Sequence, residues 1–227
     1  MADEAIRKVK STPFSDIPTI RVGTSFLRPC KPFLDYLAKI RKIWSHKFLI
    51  KIISFNDNHE EFSRLQHELG KEIDCFVSPC DSSSWISRLS IFSLGECRCC
   101  ITLSMNHRLA NKKMLKLKDL HGEKLMLVAK GISPVMDQLR AEIVQNHTSI
   151  TIYVSPNYYD IDVFNRCARE EYVMETPETW AGLHPALVTL PVSWDYVLPF
   201  GVVYSKNPSS AFQKFIQSIT ASHSIEP

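Results

Sequence analysis

Glycine is scarce in this chain, with seven among 227 residues. Neither of the glycine-rich phosphate loops, G-x-x-x-x-G-K-[ST] or G-x-G-x-x-G, occurs in the sequence. No apolar run approaches the roughly 18 residues that a membrane span needs. Runs of five or more like charges are also missing, and a net charge of +3 does not argue for nucleic acid binding. We therefore expect no cofactor and no membrane partner.

The N-terminal stretch MADEAIRKVKSTPF has no apolar core segment, so it does not read as a secretory signal. This predicts a cytoplasmic protein in which the seven cysteines are reduced thiols rather than disulfides. The eight histidines are scattered without the H-E-x-x-H spacing of a zinc site. A redox role for Cys30, together with Cys80 or Cys167, is an alternative to a purely structural role for these thiols.

Three of the cysteines fall within four positions of the stretch GECRCCITLSMNHRLA, residues 95–110. As a strand, residues 97–104 alternate between two faces, and the apolar face carries Cys97, Cys99, Ile101 and Leu103. Cys99 and Cys100 then point in opposite directions and cannot both bind one ion. Zinc sites use C-x₂₋₄-C pairs with a second ligand pair elsewhere, and the sequence has no such second pair. The stretch predicts a half-buried strand, and we expect no metal site.

Strands and helices alternate on both sides of this stretch. The segment before it contains predicted strands at 19–24, 47–55 and 73–78, a helix at 30–44, and a helix that Asn58 caps and Gly70 ends. The segment after it contains predicted strands at 123–129, 149–155 and 172–175, with helices capped by Ser133 and Asp160. The apolar KFLIKIISF, residues 47–55, indicates a central strand. Two βαβαβ units, roughly 19–80 and 123–176, predict an α/β fold with parallel sheets.

A final strand at 199–205 and a helix at 207–219, with Asn207 as its cap, return the chain to the first unit. The chain then crosses between two lobes twice, near 101–105 and near 196–201. We expect lobe I to comprise residues 19–102 and 199–227, and lobe II to comprise residues 103–198. Two Rossmann-like lobes joined by two crossover strands predict a ligand-binding domain whose lobes close over the ligand by a hinge movement.

The order of these segments resembles the effector-binding domain of LysR-type transcriptional regulators, which has the fold of type 2 periplasmic binding proteins. The stretches that carry the resemblance are IRVGTS, GKEIDCFVS, ITLSMNHRLA, LKLKDLHGEKLMLV and GVVYSKNPSSAFQKFIQSI. Two departures stand out. Arg108 replaces the proline of the family's His-Pro-Leu-Ala, and CAREEYVMETP has Arg169, Glu170 and Glu171 where the family has glycines.

The resemblance implies a regulatory domain that senses a small, anionic metabolite between its lobes, and it implies no enzyme activity. It also implies a homodimer or homotetramer that meets promoter DNA only through an N-terminal winged helix-turn-helix domain. Residues 1–18 then read as the remnant of a linker helix or a tag. A cytosolic enzyme and a freestanding solute-binding protein on the same fold are the alternatives.

Candidate ligand contacts lie where strands end and helices begin, because hydroxyls and free backbone N–H groups suit a small carboxylate there. In lobe I they are Thr24, Ser25, Phe26, Arg28, Asn56, Asp57 and Ser78, with Thr102 and Ser104 on the crossing strand. In lobe II they are Gly131, Ile132, Ser133, Ser155 and Asn157. For each hydroxyl or amide the alternative is that it only caps its own helix. Arg28 either binds a ligand carboxylate or is solvated.

Overall fold

The computed structural model of the chain describes residues 17–155, 159–170 and 172–223. Its strands are β1 (Thr19–Thr24), β2 (Leu49–Ser54), β3 (Cys75–Pro79), β4 (Leu89–Ser104), β5 (Lys124–Leu127), β6 (Thr151–Val154), β7 (Tyr172–Pro177), β8 (Leu187–Pro191) and β9 (Val197–Ser205). Its helices are α1 (Lys31–Lys39), α2 (Arg41–Trp44), α3 (His59–Glu68), α4 (Ser83–Ile86), α5 (Pro134–Asn146), α6 (Ile161–Arg169) and α7 (Ser210–His223).

The sheet of lobe I has the order β2-β1-β3-β9-β4. β1 runs parallel to β2 and β3, as the βαβ pattern predicts, while β9 runs antiparallel to β3 and β4. The apolar face of α7 supplies Phe212, Phe215 and Ile219 to the core of this lobe. The returning strand and helix therefore complete lobe I.

The sheet of lobe II is built around β5, which is parallel to both β6 and β7. The second half of β4 joins it by antiparallel pairing with β7 and β8. Both lobes are thus α/β units, and the predicted α/β fold of two βαβ lobes is confirmed.

The strand β4 passes from one lobe to the other without a break. Arg98 pairs with Val197 of β9 in lobe I, and the next residue, Cys99, pairs with Pro177 of β7 in lobe II. Since a continuous strand offers no break at residues 102 and 103, the predicted division of the lobes there stays a proposal.

Burial corrects the interpretation of the cysteine-rich stretch in one respect. Cys97, Cys99, Ile101 and Leu103 lie in one hydrophobic cluster, as predicted. The opposite face is not solvated, because Cys100 and Thr102 are buried as well. The strand is covered on both faces where it enters lobe II.

Three further predictions of secondary structure need correction. β2 lies at the edge of the lobe I sheet rather than at its centre, and its side chains are largely exposed. The helix predicted over 30–44 divides at Ile40 into α1 and α2. Asn207 does not cap α7, because the Ser209 hydroxyl accepts the hydrogen bond from the backbone N–H of Phe212. By contrast, the predicted caps Asn58, Ser133 and Asp160 are confirmed.

Among the described residues, no helix combines the length and the apolar character that a membrane crossing requires.

Candidate functional site

A cavity of about 120 Å³ lies between the two lobes. Lobe I contributes Arg28, Ser78, Pro79, Asp81, Ser82 and Trp85 to its wall, lobe II contributes Val128, Ile132, Ser133, Met136, Tyr159, Glu175, Pro177 and Trp180, and the returning strand β9 contributes Leu198. An apolar cavity of about 150 Å³ is large enough for benzene. The space in this cleft therefore suits a molecule of up to about six non-hydrogen atoms.

The lobes are held together on one side of the cavity by the loop between β1 and α1. Leu27 from this loop is 1% exposed and packs into the lobe II cluster that contains Phe164 and Trp180. The indole Nε1–H of Trp180 donates to the backbone carbonyl of Leu27 at 2.7 Å. A lobe I side chain is thus buried in the core of lobe II, and the two lobes are in contact beside the cavity.

On the other side, Asp81 of lobe I meets the N-terminus of α5 in lobe II. Its carboxylate accepts hydrogen bonds from the Ser133 hydroxyl and from the backbone N–H of Val135, the latter at 3.0 Å. The Ser133 hydroxyl oxygen also accepts from the backbone N–H of Met136, so it caps α5 as predicted. Donors at a helix N-terminus favour an anion, and here the chain's own carboxylate takes that position.

Of the two predicted environments of Arg28, the solvated one is wrong, and its contact with a ligand stays a prediction. It is 5% exposed, it forms an ion pair with Asp57, and its guanidinium carbon lies 3.6 Å from the ring centroid of Phe62. Asp57 also accepts from the Ser25 hydroxyl at 2.7 Å and from the Leu27 backbone N–H at 2.8 Å. Arg28 is therefore not solvated, and its charge is balanced by a buried carboxylate of the same lobe.

A buried acid lies on the lobe II wall. Glu175 of β7 is 3% exposed, and its Oε1 has no hydrogen-bond partner in the described part of the chain. Burial raises the pKa of Glu175 to about 8; the Cys99 thiol opposes this shift and the charge of Asp81 adds to it. The acid is therefore mostly protonated at neutral pH. It stands in the cavity wall as a group that can donate or accept.

The Tyr159 phenol lies near this acid, and the predicted contact Ser155 lies next to Tyr159 without lining the cavity. Tyr159 is 4% exposed, and burial, followed by the nearby Glu175, raises the pKa of its phenol well above the usual value. Its hydroxyl and that of Ser155 are buried without a well-formed hydrogen bond among the described residues. Polar atoms left in this state are uncommon in folded proteins, and a bound ligand or water commonly satisfies them.

Four of the predicted contacts line the cavity: Arg28, Ser78, Ile132 and Ser133. Three others line a second, larger hollow between the lobes, beside the start of α6; these are Phe26, Asn56 and Asp57. Thr24 and Ser25 serve the loop itself, because the Thr24 hydroxyl accepts from the Cys30 backbone N–H and Ser25 binds Asp57. The loops after β1 and β3 thus meet at the cleft.

The remaining predicted contacts have other surroundings. The Thr102 hydroxyl lies 2.7 Å from those of Thr176 and Thr189 inside the lobe II sheet, so it does not line the cavity. Ser104 faces a different surface hollow, beside Asn106 and Gly122. Gly131 has a φ of +87°, which only glycine adopts easily, and its N–H donates to Asp137. Asn157 lies outside the described residues.

Several cavity residues were missed by the sequence analysis, namely Asp81, Trp85, Tyr159, Glu175 and Trp180. One signal was available for Glu175, since a charged residue within the otherwise buried strand YVMETP is unusual. Asp81 and Trp85 belong to the segment between β3 and β4, which has no clear periodicity.

Comparison with known proteins gives fold similarity alone. No protein-family model and no curated protein matches the chain. The LysR family transcriptional regulator CbnR superposes with a TM-score of 0.61 at 14% identity, covering 92% of this chain and 71% of that one. The chain has the fold of a LysR-type effector-binding domain.

Two further structures share this LysR-type fold. The effector-binding domain of QuiR in complex with shikimate gives a TM-score of 0.59 at 12% identity, covering 91% of this chain and 97% of that one. The regulatory domain of CcmR from Synechocystis PCC6803, in complex with 2-PG, gives 0.54 at 14% identity, covering 92% of this chain and 99% of that one.

Proposed function

We propose that the chain is the ligand-sensing domain of a LysR-type transcriptional regulator. A small molecule occupies the cavity between the lobes and changes how firmly they close. The complete regulator acts in the cytoplasm as a homodimer or homotetramer and binds promoter DNA through an N-terminal winged helix-turn-helix domain. The observation that carries the proposal is the cavity between the lobes whose wall, from both lobes, holds buried polar groups such as Glu175 and Tyr159.

The closed cleft determines how such a sensor works. Leu27 and Asp81 hold the lobes together beside the cavity, so these contacts belong to the closed arrangement of the lobes. A ligand changes the equilibrium between open and closed lobes only by binding one of the two states more tightly. A molecule that fills the cavity and satisfies its polar wall favours the closed state.

The expectation from the sequence that the ligand is an anion stays a prediction. The group that favours it is the N-terminus of α5, where the Ser133 hydroxyl and the Val135 N–H are donors suited to a carboxylate. An anionic ligand at this place has to displace the Asp81 carboxylate. It then also frees lobe I from lobe II at this contact.

Thermal unfolding in the presence of small carboxylates, amines, alcohols and amino acids tests the proposal. We expect one class of compounds to raise the melting temperature, because a ligand that binds the folded state stabilises it. In Ile132→Trp the indole fills the cavity, so the increase disappears. The matched control is Val144→Trp on the solvent face of α5, where the side chain is 64% exposed, and it keeps the increase. An equal response of both variants places the binding elsewhere.

Glu175 also favours a second candidate, an enzyme on the same fold. A carboxyl with a pKa of about 8 near a second acid, Asp81, can donate a proton to a bound substrate. A compound that stabilises the chain and is recovered unchanged after long incubation supports the sensor. Conversion of that compound, abolished in Glu175→Gln, supports the enzyme.

A further inference from the structure

The charged groups around the cavity are predominantly acidic. Among the described residues, the one arginine in its lining, Arg28, is paired with Asp57. A second arginine, Arg140 of α5, lies behind the wall, where it donates to the Val128 carbonyl and its charge opposes the rise in the pKa of Tyr159. Asp81 and Glu175 then remain as the acidic groups of the wall, one from each lobe. The cavity therefore has excess negative charge whenever Glu175 ionises, and a second negative charge from a ligand is unfavourable there.

The neighbouring hollow between the lobes is also lined by acidic residues. Asp57 faces Asp160 and Asp162 across it, at the start of α6. Asp57 is engaged with Arg28, while Asp160 uses its carboxylate to cap α6. Acidic groups along this edge of the cleft attract cations and repel anions.

Aromatic rings complete the wall. Trp85 and Trp180 line the cavity together with Tyr159. Indole and phenol rings attract a cation placed over their faces, and this attraction is strongest in a site without water. The Nε1–H of Trp85 is buried and has no acceptor within the described ranges, so this wall also offers a hydrogen-bond donor.

We propose that the cavity binds a small primary amine that also carries a hydroxyl group. The ammonium binds the carboxylate of Glu175 between the aromatic rings, and the ligand oxygen accepts from the Trp85 indole. Tyr159 supplies a hydroxyl to the ammonium from the same wall. Glu175 releases its proton to solvent when the ammonium binds, because the ion pair replaces the neutral acid.

This inference rests on the proposed ligand-sensing function and specifies the ligand class of the same cavity. The volume of about 120 Å³ limits the ligand to a short chain. A four-carbon amino alcohol has six non-hydrogen atoms, and its two ends pair with groups from the two lobes, Trp85 and Glu175.

Three probes with the same carbon chain test the charge directly: 4-aminobutan-1-ol, butane-1,4-diol and 4-hydroxybutanoate. Thermal unfolding and isothermal titration calorimetry at pH 7 measure the binding of each probe to the 227-residue chain. We expect the amine to raise the melting temperature and to bind at least tenfold more tightly than the diol, with no detectable binding of the carboxylate.

Variants test the contact that the ammonium makes. In Glu175→Gln the amine loses its advantage over the diol, because the amide keeps the size of the side chain and removes its charge. The matched control is Glu178→Gln, at an exposed ion pair with Arg98 three positions further along, and it keeps the advantage. Tyr159→Phe provides a second variant, in which we expect weaker amine binding with an unchanged fold.

Proton release gives an independent measurement. Titration with the amine in two buffers of different ionisation enthalpy yields a release of about one proton per ligand at pH 7, since Glu175 begins mostly protonated. Glu175→Gln abolishes this release.

The outcomes separate the two proposals. Binding of 4-hydroxybutanoate without the amine overturns the ligand class and leaves the sensing function standing. Amine binding that is unchanged in Glu175→Gln overturns the role of this acid. Failure of all three probes overturns the ligand class; the sensing function then fails only if the broader compound panel also leaves the melting temperature unchanged.

Discussion

The indole N–H of Trp180 donates to the main-chain carbonyl of Leu27 at 2.7 Å, across the boundary between the two lobes. The Leu27 side chain, 1% exposed, lies in the core of lobe II although its loop belongs to lobe I. Closure of the cleft is therefore a packing interaction and not only a set of polar contacts. Removal of the Leu27 side chain therefore separates the lobes and also lowers the free energy of unfolding.

Leu27→Ala tests this packing contact between the lobes. The loss of a buried leucine lowers the free energy of unfolding by about 2 to 4 kcal/mol. Because this leucine joins two lobes, the variant also opens the cleft, and its radius of gyration in small-angle scattering increases. Leu37→Ala in the lobe I core is the matched control, with a comparable loss of stability and an unchanged radius. Equal radii of gyration for the two variants contradict the role of Leu27 in holding the lobes together.

Asp81→Ala tests the polar contact on the other side of the cavity. Without the carboxylate, the Val135 N–H loses its acceptor, and its hydrogen exchange accelerates. We expect a loss of stability of about 1 to 3 kcal/mol, the usual range for hydrogen bonds to a charged group. Asp137→Asn, whose carboxylate accepts from Gly131 within lobe II, leaves the Val135 exchange rate unchanged. Unaltered exchange in Asp81→Ala shows that the lobes do not depend on this contact.

Glu175 makes stability depend on pH. Its pKa is raised from 4.5 in the unfolded chain to about 8 in the folded one, so the folded state binds the proton more tightly. The contribution to stability is complete below pH about 4.5, decreases as the pH rises, and is lost above pH about 8. The total loss is at most about 5 kcal/mol. Chemical denaturation between pH 5 and pH 9 measures it.

Glu175→Gln removes the pH-dependent contribution of this residue to stability, since a neutral amide does not titrate. Its stability stays higher than that of the wild type at alkaline pH, and the two curves converge toward acidic pH. Parallel curves for the two proteins over the whole range contradict the assignment of the pH dependence to Glu175.

The thiols are predicted to react slowly in the folded chain. All seven cysteines are free and buried. Burial raises the pKa of Cys80, Cys97 and Cys167 to about 12, so the reactive thiolate is scarce at neutral pH. A thiol-reactive disulfide reagent labels the native protein slowly and all seven thiols quickly after denaturation. A rapid native phase assigned to Cys30 contradicts this expectation and favours its redox role.

The fold was largely predictable from the sequence because its signals are local. Alternating strands and helices, and caps such as Asn58, Ser133 and Asp160, are encoded within a few residues of one another. The edge position of β2 was not predictable in this way. Its order in the sheet depends on the return of β9, which takes the place beside β3.

The candidate site was predictable only in part. The loops after parallel strands indicated Arg28, Ser78, Ile132 and Ser133, which line the cavity because the carboxyl ends of the strands meet at one edge; their contact with a ligand stays a prediction. The pairing of Arg28 with Asp57, and of Ser133 with Asp81, joins segments 29 and 52 residues apart and has no local signal. These two pairings change the charge of the site, so the sequence alone misjudged what the donors are free to bind.

Hydrogen exchange with and without a stabilising compound tests the central claim most directly. If the compound binds between the lobes, exchange slows together in residues 78–85 of lobe I and residues 132–136 of lobe II, and the Ile132→Trp variant shows neither change. Protection confined to a single lobe, or protection that persists in Ile132→Trp, contradicts a ligand site between them.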